Sequence, residues 1–308
     1  MRRVLVSTLL AGALLAACGS SSSSGGGGDA SALPAVSGAP GAKPAIAKPT
    51  GKPPTALAVK VLTPGDGATV GAGDLVFVNY LGMTWSGKVF DNSFDRKQAF
   101  SFAVGTGAVI KGWDQGLVGQ RVGSRVLLGI PADLGYGAAG AGADIPPNTA
   151  LLFAVDLVAV FAKGSKATGA AVPLDDPALP KVTGDAATLA VTMPGVAAPT
   201  TLVVKTLVQG AGPAVAKGQQ LVAQYLGALW DGGKTFDSSW TRGGQPIGFA
   251  IGVGKVIPGW DEALVGVKTG SRVLLVVPSA KGYGDAGQPP TIPAKATLVF
   301  VVDVLGAV

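Results

Sequence analysis

The residues best placed to do chemistry occur twice. Val109-Ile110-Lys111-Gly112-Trp113-Asp114 in the first half of the chain is matched by Val256-Ile257-Pro258-Gly259-Trp260-Asp261 in the second. Each signature lies inside a longer frame. Tyr80, Phe90-Asp91, Trp113, Tyr136, Ile145 and Phe153 are followed, in the same order, by Tyr225, Phe236-Asp237, Trp260, Tyr283, Ile292 and Phe300. The offset is 145 residues at the tyrosines, 146 at Phe90 and Phe236, and 147 from the tryptophans onward, so two single-residue insertions separate the copies. Aromatic residues make up only 6% of the chain, yet most fall at these matched places, as expected of side chains that line something specific. One carboxylate, Asp91 or Asp237, sits among the rings of each copy. The chain has no histidine and a single cysteine, Cys18. That excludes a Ser-His-Asp or Cys-His nucleophile, an imidazole metal site and an intramolecular disulfide, and no metal or cofactor is expected.

These residues must be positioned by a unit of limited size. A chain of 308 residues with a period near 146 has room for two domains of about 105 to 110 residues each, placed at 55–162 and 196–308. In the first, 57–62 and 100–104 alternate, 74–83 is rich in β-formers, 124–130 is apolar, and 151–160 alternates large residues. These read as strands, separated by turn chemistry at Pro64-Gly65-Asp66-Gly67 and Ser86-Gly87. One helix is expected over 111–119, with Trp113, Leu117 and Val118 on one face. The Gly/Ala/Pro-rich stretch 132–149 reads as a loop over one end of the sheet. The fold class is α+β, an antiparallel sheet packed on a short helix.

Outside the repeats the composition changes. Arg2-Arg3, the apolar run to Ala17 and then Cys18 form a short secretory leader, 1–18. Leu15-Ala16-Ala17-Cys18 resembles a bacterial lipobox, which implies lipidation of Cys18 and anchoring at the extracytoplasmic face of the cell membrane. Residues 19–54, a Ser/Gly tract followed by Ala, Pro, Gly and Lys, show no apolar periodicity and are expected to be a disordered tether. The stretch 163–195 reads as an interdomain linker, with 189–193 open to being a short strand. The formal charge of +6 is scattered, so no nucleic-acid partner is expected. Nothing speaks for dimerisation.

The full set of motifs resembles the FKBP-type peptidyl-prolyl cis-trans isomerases over nearly the whole of both repeats. The matching residues are Tyr80, the segment from Gly87 to Ser93, Phe100 to Gly105, Val109 to Asp114, Leu134 to Gly137, and Ile145 to Phe153. The resemblance implies two domains, each a curved sheet of five or six antiparallel strands wrapped around a short helix, with a prolyl-binding hollow between them. It assigns the hollow of repeat one to Tyr80, Phe90, Asp91, Phe100, Val109, Ile110, Trp113, Tyr136, Ile145 and Phe153, with Trp113 as its floor. In repeat two the matching residues are Tyr225, Phe236, Asp237, Ile247, Val256, Ile257, Trp260, Tyr283, Ile292 and Phe300. There Gly243-Gly244-Gln245-Pro246-Ile247 carries an extra residue, and Ile247 stands where repeat one has Phe100. A lost aromatic wall is expected to loosen the grip on proline, and Pro258 removes a backbone N–H beside the helix.

The activity so implied is rotation of X-Pro bonds in unfolded or exported proteins. The barrier is about 20 kcal/mol, and an apolar hollow lowers it by stripping water from the imide without any proton shuttle. The resemblance offers the Tyr136 hydroxyl and the Ile110 N–H as donors to substrate carbonyls. Asp91 either orients the carbonyl region or holds Tyr80. The alternative function is a binding module or holdase that captures Pro-containing segments without turning them over, above all in repeat two. The family's macrolide inhibitors are candidate ligands.

Overall fold

The computed structural model describes residues 28–308. The leader, Cys18 and residues 19–27 lie outside the described residues. The described chain opens with a small hairpin, β1 (Val36–Ser37) and β2 (Ala45–Ile46), before the sheet of repeat one: β3 (Ala58–Thr63), β4 (Leu75–Thr84), β5 (Val89–Asn92), β6 (Phe100–Ala103), β7 (Arg125–Ile130) and β8 (Leu151–Phe161), with α1 (Lys111–Leu117) between β6 and β7. The strands are antiparallel in the order β3-β7-β8-β4-β5, and β6 also pairs with β4. The central strand β4 is buried on both faces because each face has its own cover. Val76, Val78 and Tyr80 point into the core under α1, whereas Leu81 and Met83 point the other way. The helix is shorter than its periodicity suggests, ending before Gly119, whose φ of 85° suits glycine. It lies close on β7: a Cβ at Gly112 would stand 2.5 Å from Ile130 Cγ2.

Residues 28–54 correct the tether expectation, because they fold onto the outer face of the sheet. Leu33 is 6% exposed and packs with Leu81, Met83, Leu127 and Leu152, joined by Val36 and Ile46. A buried ion pair at the centre of this face explains the docking. Arg125 donates to Asp156 through Nε (2.5 Å) and Nη2 (2.7 Å), and its remaining donors reach the carbonyls of Gly38 and Ala42, both at 2.7 Å. Asp156 in turn accepts from the Gly41 N–H at 2.8 Å. Buried charges must be fully satisfied, and the hairpin backbone completes this pair.

The linker expectation is corrected in the same way. After β9 (Ala170–Ala171) come the hairpin strands β10 (Lys181–Thr183) and β11 (Ala190–Thr192), and then β12 (Val203–Gln209), β13 (Gln220–Leu229), β14 (Thr235–Ser238), β15 (Ile247–Ala250), α2 (Pro258–Leu264), β16 (Arg272–Val277) and β17 (Leu298–Ala307). The order is β14-β13-β17-β16-β12-β9, with β15 on β13. Leu179, Leu189, Val191 and Met193 cover the outer face over Leu226, Leu274, Val299 and Val301. Arg272 pairs with Asp303 at 2.5 and 2.8 Å, and here the carboxylate of Asp185 takes its free donor at 2.8 Å. The two hairpins are copies: Ala-Leu-Pro-Ala-Val-Ser-Gly at 32–38 returns as Ala-Leu-Pro-Lys-Val-Thr-Gly at 178–184, offset by 146. The duplicated unit therefore starts well before residues 55 and 196. Among the described residues no helix is long and apolar enough to cross a membrane.

Candidate functional site

Between α1 and the concave face of the first sheet lies a hollow of about 430 Å³, lined by Tyr80, Phe90, Asp91, Phe100, Ala108, Val109, Ile110, Trp113, Tyr136 and Phe153. Nine of these are residues the resemblance assigns. Ile145 corrects that assignment: it does not line the hollow but is buried in the core behind it. Its backbone bridges to Ala141, and the residue is 5% exposed. Trp113 is the floor, 3% exposed, with the ring centroids of Tyr80 and Phe153 both 5.1 Å away and close to perpendicular. Its indole N–H is buried without an acceptor among the described residues. Gly82 makes room for the wall: a Cβ there would stand 2.7 Å from both the Phe90 and Phe153 rings, which meet edge to face at 5.5 Å.

The polar side of the hollow is a closed triangle. The Tyr80 hydroxyl donates to Asp91, Arg96 pairs with the other oxygen of Asp91, and Arg96 Nη2 donates to the Tyr80 oxygen at 2.9 Å. The guanidinium also lies 5.6 Å from the Tyr80 ring centroid. Burial, followed by the hydrogen bond to Asp91, pushes the Tyr80 hydroxyl up to about 12. For Asp91, partial burial acts to raise the carboxyl, but the hydrogen bonds from Tyr80 and Arg96 outweigh it and hold the group below its ordinary value. Asp91 is thus an anion with each oxygen engaged by a donor. Of its two expected roles, the geometry supports holding Tyr80. Tyr136 stands at the mouth, 38% exposed, its hydroxyl raised by burial and by the Asp91 charge.

Loop anchors explain the remaining motif residues. Ser93 Oγ accepts the Tyr80 N–H at 2.9 Å, anchoring to β4 the end of β5, the strand that carries Phe90 and Asp91. Asp114 accepts from the N–H groups of Gly105 and Gly107 at 2.7 and 2.8 Å, so it holds the segment leading to Val109 and Ile110. Arg96 and Arg242 escaped the sequence reading although a signal existed, since each follows its aspartate by five residues.

The second hollow, about 360 Å³, is lined by Tyr225, Phe236, Asp237, Ile247, Gly248, Phe249, Lys255, Val256, Ile257, Trp260, Tyr283 and Phe300. As in repeat one, the isoleucine Ile292 is core and not wall. The triangle is rebuilt by Tyr225, Asp237 and Arg242, with Arg242 Nη2 donating to Tyr225 at 3.0 Å. The rim differs. In repeat one Phe100 stacks on Phe102 at 5.5 Å and covers it, whereas the smaller Ile247 leaves Phe249 facing the hollow. Lys255 stands in the place of Ala108. Pro258 is the first residue of α2 and leaves the helix unaltered, because the N–H it lacks has no intrahelical partner at that position. No group of three or more metal-ligating side chains occurs among the described residues.

Comparison with known proteins finds the family model described as FKBP-type peptidyl-prolyl cis-trans isomerase over residues 67–158 and again over 212–305. An FK506-binding protein of Streptomyces anulatus is 48% identical over 120 residues, 38% of this chain and 97% of that protein. The mouse peptidyl-prolyl cis-trans isomerase FKBP9 is 33% identical over 237 residues, 77% of this chain, and the human FKBP10 is 32% identical over 230 residues, 75% of this chain. The chain spans about a third of the length of these two curated relatives, 35% and 34%.

Proposed function

The chain belongs to the family of FKBP-type peptidyl-prolyl cis-trans isomerases, and from that premise we propose that it accelerates cis–trans isomerisation of X-Pro bonds, with repeat one as the stronger site. The observation that carries this reading is the open, ring-walled hollow above Trp113, with its one carboxylate engaged at both oxygens by Tyr80 and Arg96. The imide barrier of about 18–20 kcal/mol reflects resonance that twisting removes. Packed against Trp113, Phe90 and Phe153, a prolyl ring and its carbonyl lose water, which disfavours the more polar planar form. The Tyr136 hydroxyl and the Ile110 N–H serve the flanking carbonyls. Asp91, below its ordinary pKa, and Tyr80, raised to about 12, both keep their protonation states through neutrality. The rate is therefore expected to be flat between about pH 5 and pH 9.

The test uses the full chain and a refolding or protease-coupled prolyl assay. Phe90→Ala removes ring contact worth about 1.5–3 kcal/mol, so the share of kcat/KM due to repeat one should fall about tenfold to a hundredfold. Phe236→Ala reads repeat two in the same way. A chain no faster than the uncatalysed reaction, yet able to bind a Pro-containing peptide, would favour capture without turnover. The motif ending in Cys18 supports a lipid anchor that presents the repeats to exported chains outside the cytoplasmic membrane. Cys18→Ala should move the protein from the membrane fraction to the soluble one.

A further inference from the structure

The place where the second copy departs from the first lies against the first copy itself. The extra residue falls between Arg242 and Ile247, in Gly243-Gly244-Gln245-Pro246. This loop is held at its Gly244 carbonyl, which accepts from the Gly164 N–H just past β8 at 2.7 Å and from Nε2 of the buried Gln224 at 2.6 Å. The strand that follows, β15, is an edge of four residues hydrogen-bonded on one side only, to β13. Its other support comes from repeat one. A Cβ at Gly248 would stand 3.0 Å from Cζ of Phe77 and 3.8 Å from Cδ2 of Leu75.

Phe77 is fully buried, yet it takes no part in the core around Trp113. It belongs to a cluster made by both repeats, with Leu75, Phe161, Val222, Leu305 and Val308. Phe161 meets it edge-on at 5.9 Å and is itself seated over Gly306, where a Cβ would come within 2.3 Å of the ring. Gly248 is at the same time a lining residue of the second hollow, between Ile247 and Phe249. We infer that repeat one, through Phe77, fixes the position of the 247–249 wall, so that the grip of the second hollow on proline belongs to the tandem and not to repeat two alone. Phe77 is then a positioning residue for a site in the other repeat. A wall that has exchanged phenylalanine for Ile247 has less ring contact to hold it in place, and the neighbouring domain supplies the backing.

This inference rests on reading repeat two as a proline-binding hollow, and its test separates the two. In the full chain carrying Phe90→Ala, the part of the remaining turnover that Phe236→Ala removes reports repeat two. Adding Phe77→Ala should raise KM about three- to tenfold with kcat within about twofold, and Phe77→Leu should restore most of the loss. Gly248→Ala should act similarly from the other side, and its effect should shrink when Phe77 is already alanine, because the clash has been removed. A readout independent of turnover is the Ile247 δ1-methyl resonance, which should move in Phe77→Ala while that of Ile292 stays. If Ile247 and KM are both unmoved, the inference is overturned. If repeat two shows no turnover but the Ile247 methyl moves, the bracing stands and the isomerase reading of that repeat fails.

Discussion

The two repeats build one cavity twice and differ chiefly at its rim. Below, Trp113 and Trp260 sit on matching helices, each tyrosine is tied to its aspartate and arginine, and Gly82 and Gly227 each leave room for two phenylalanine rings. At the rim Phe100 becomes Ile247 and Ala108 becomes Lys255. Floor residues are constrained by one another: a change in Tyr80 strands Asp91 and Arg96, and a side chain at Gly82 displaces two rings. Rim residues meet solvent and substrate, so each can change by itself. The difference between the copies therefore lies in the lining of the rim, while the floor and its polar triangle are shared.

The largest expected effect breaks the likeness on the outer face of the sheets. Arg125→Ala leaves Asp156 buried and unpaired and frees the Gly38 and Ala42 carbonyls, with side-chain exposures of only 2% and 8% for the pair. The cost to repeat one should be about 3–5 kcal/mol, seen as a lowered melting transition and rapid proteolysis within 28–54. Arg272→Ala should cost its domain a similar amount but keep its hairpin, since Leu179, Leu189 and Val191 pack there and Asp185 still binds Lys166. Equal release of both hairpins would show that the buried pair alone holds each one.

Next in size is the exchange of the rim itself. Ile247→Phe should restore the ring that covers Phe249 and raise the kcat/KM of repeat two, measured in a Phe90→Ala background. Phe100→Ile should lower that of repeat one, measured in a Phe236→Ala background. About 1 kcal/mol of ring contact corresponds to roughly fivefold in rate. If neither exchange matters, the wall at this position does not touch the prolyl ring, and the difference in grip lies elsewhere.

Much of this comparison is legible in the sequence, for physical reasons that also explain what is not. Rings at fixed offsets mark the floor because a duplicated cavity must keep its mutual contacts, and the large apolar residues over 151–160 mark β8 because one strand serves two apolar faces. The hairpins are hidden because each buries only a few apolar residues, such as Leu33, Val36 and Ile46, within a Pro/Ala-rich stretch that resembles a tether by composition. What orders the first is a charge pair contributed from distant strands, Arg125 with Asp156, which no local pattern displays. Ile145 and Phe153 look alike as matched apolar residues. Both are buried in one cluster, and only the shape of the folded hollow, which Phe153 lines and Ile145 does not, tells them apart.

Acid should separate the hairpins. Asp185 is held down to about 2 by its hydrogen bonds from Lys166 and then Arg272. Its folded value lies below its ordinary one near 3.8, so its contribution is complete above that value and is lost as pH falls through about 2. Hairpin one has backbone carbonyls, Gly38 and Ala42, at the corresponding place. Amide protection over 179–193, taken relative to the intrinsic exchange rate at each pH, should therefore fall more between about pH 4 and pH 2 than protection over 33–46. Equal loss of protection would assign the acid response to the shared Arg–Asp pairs and not to Asp185.

The smallest effect concerns choice of substrate. Lys255 brings an exposed ammonium to the mouth of the second hollow, where repeat one has a methyl group. An acidic residue beside the bound proline gains from that charge, but an exposed pair contributes only about 0.2–1 kcal/mol. In the Phe90→Ala background, peptides with Glu flanking proline should be preferred over those with Lys by roughly two- to fivefold, a preference that fades at high salt. Lys255→Ala should abolish the preference without changing the rate for a neutral peptide, and Ala108→Lys should transfer it to repeat one. The transfer is the more demanding half of the experiment. If Ala108→Lys confers the preference although Phe100 is still in place, charge and ring act independently at the rim. If it does not, the segment bound by repeat one runs past that position along another path, and the two hollows differ in the direction they offer the chain as well as in the strength of their hold.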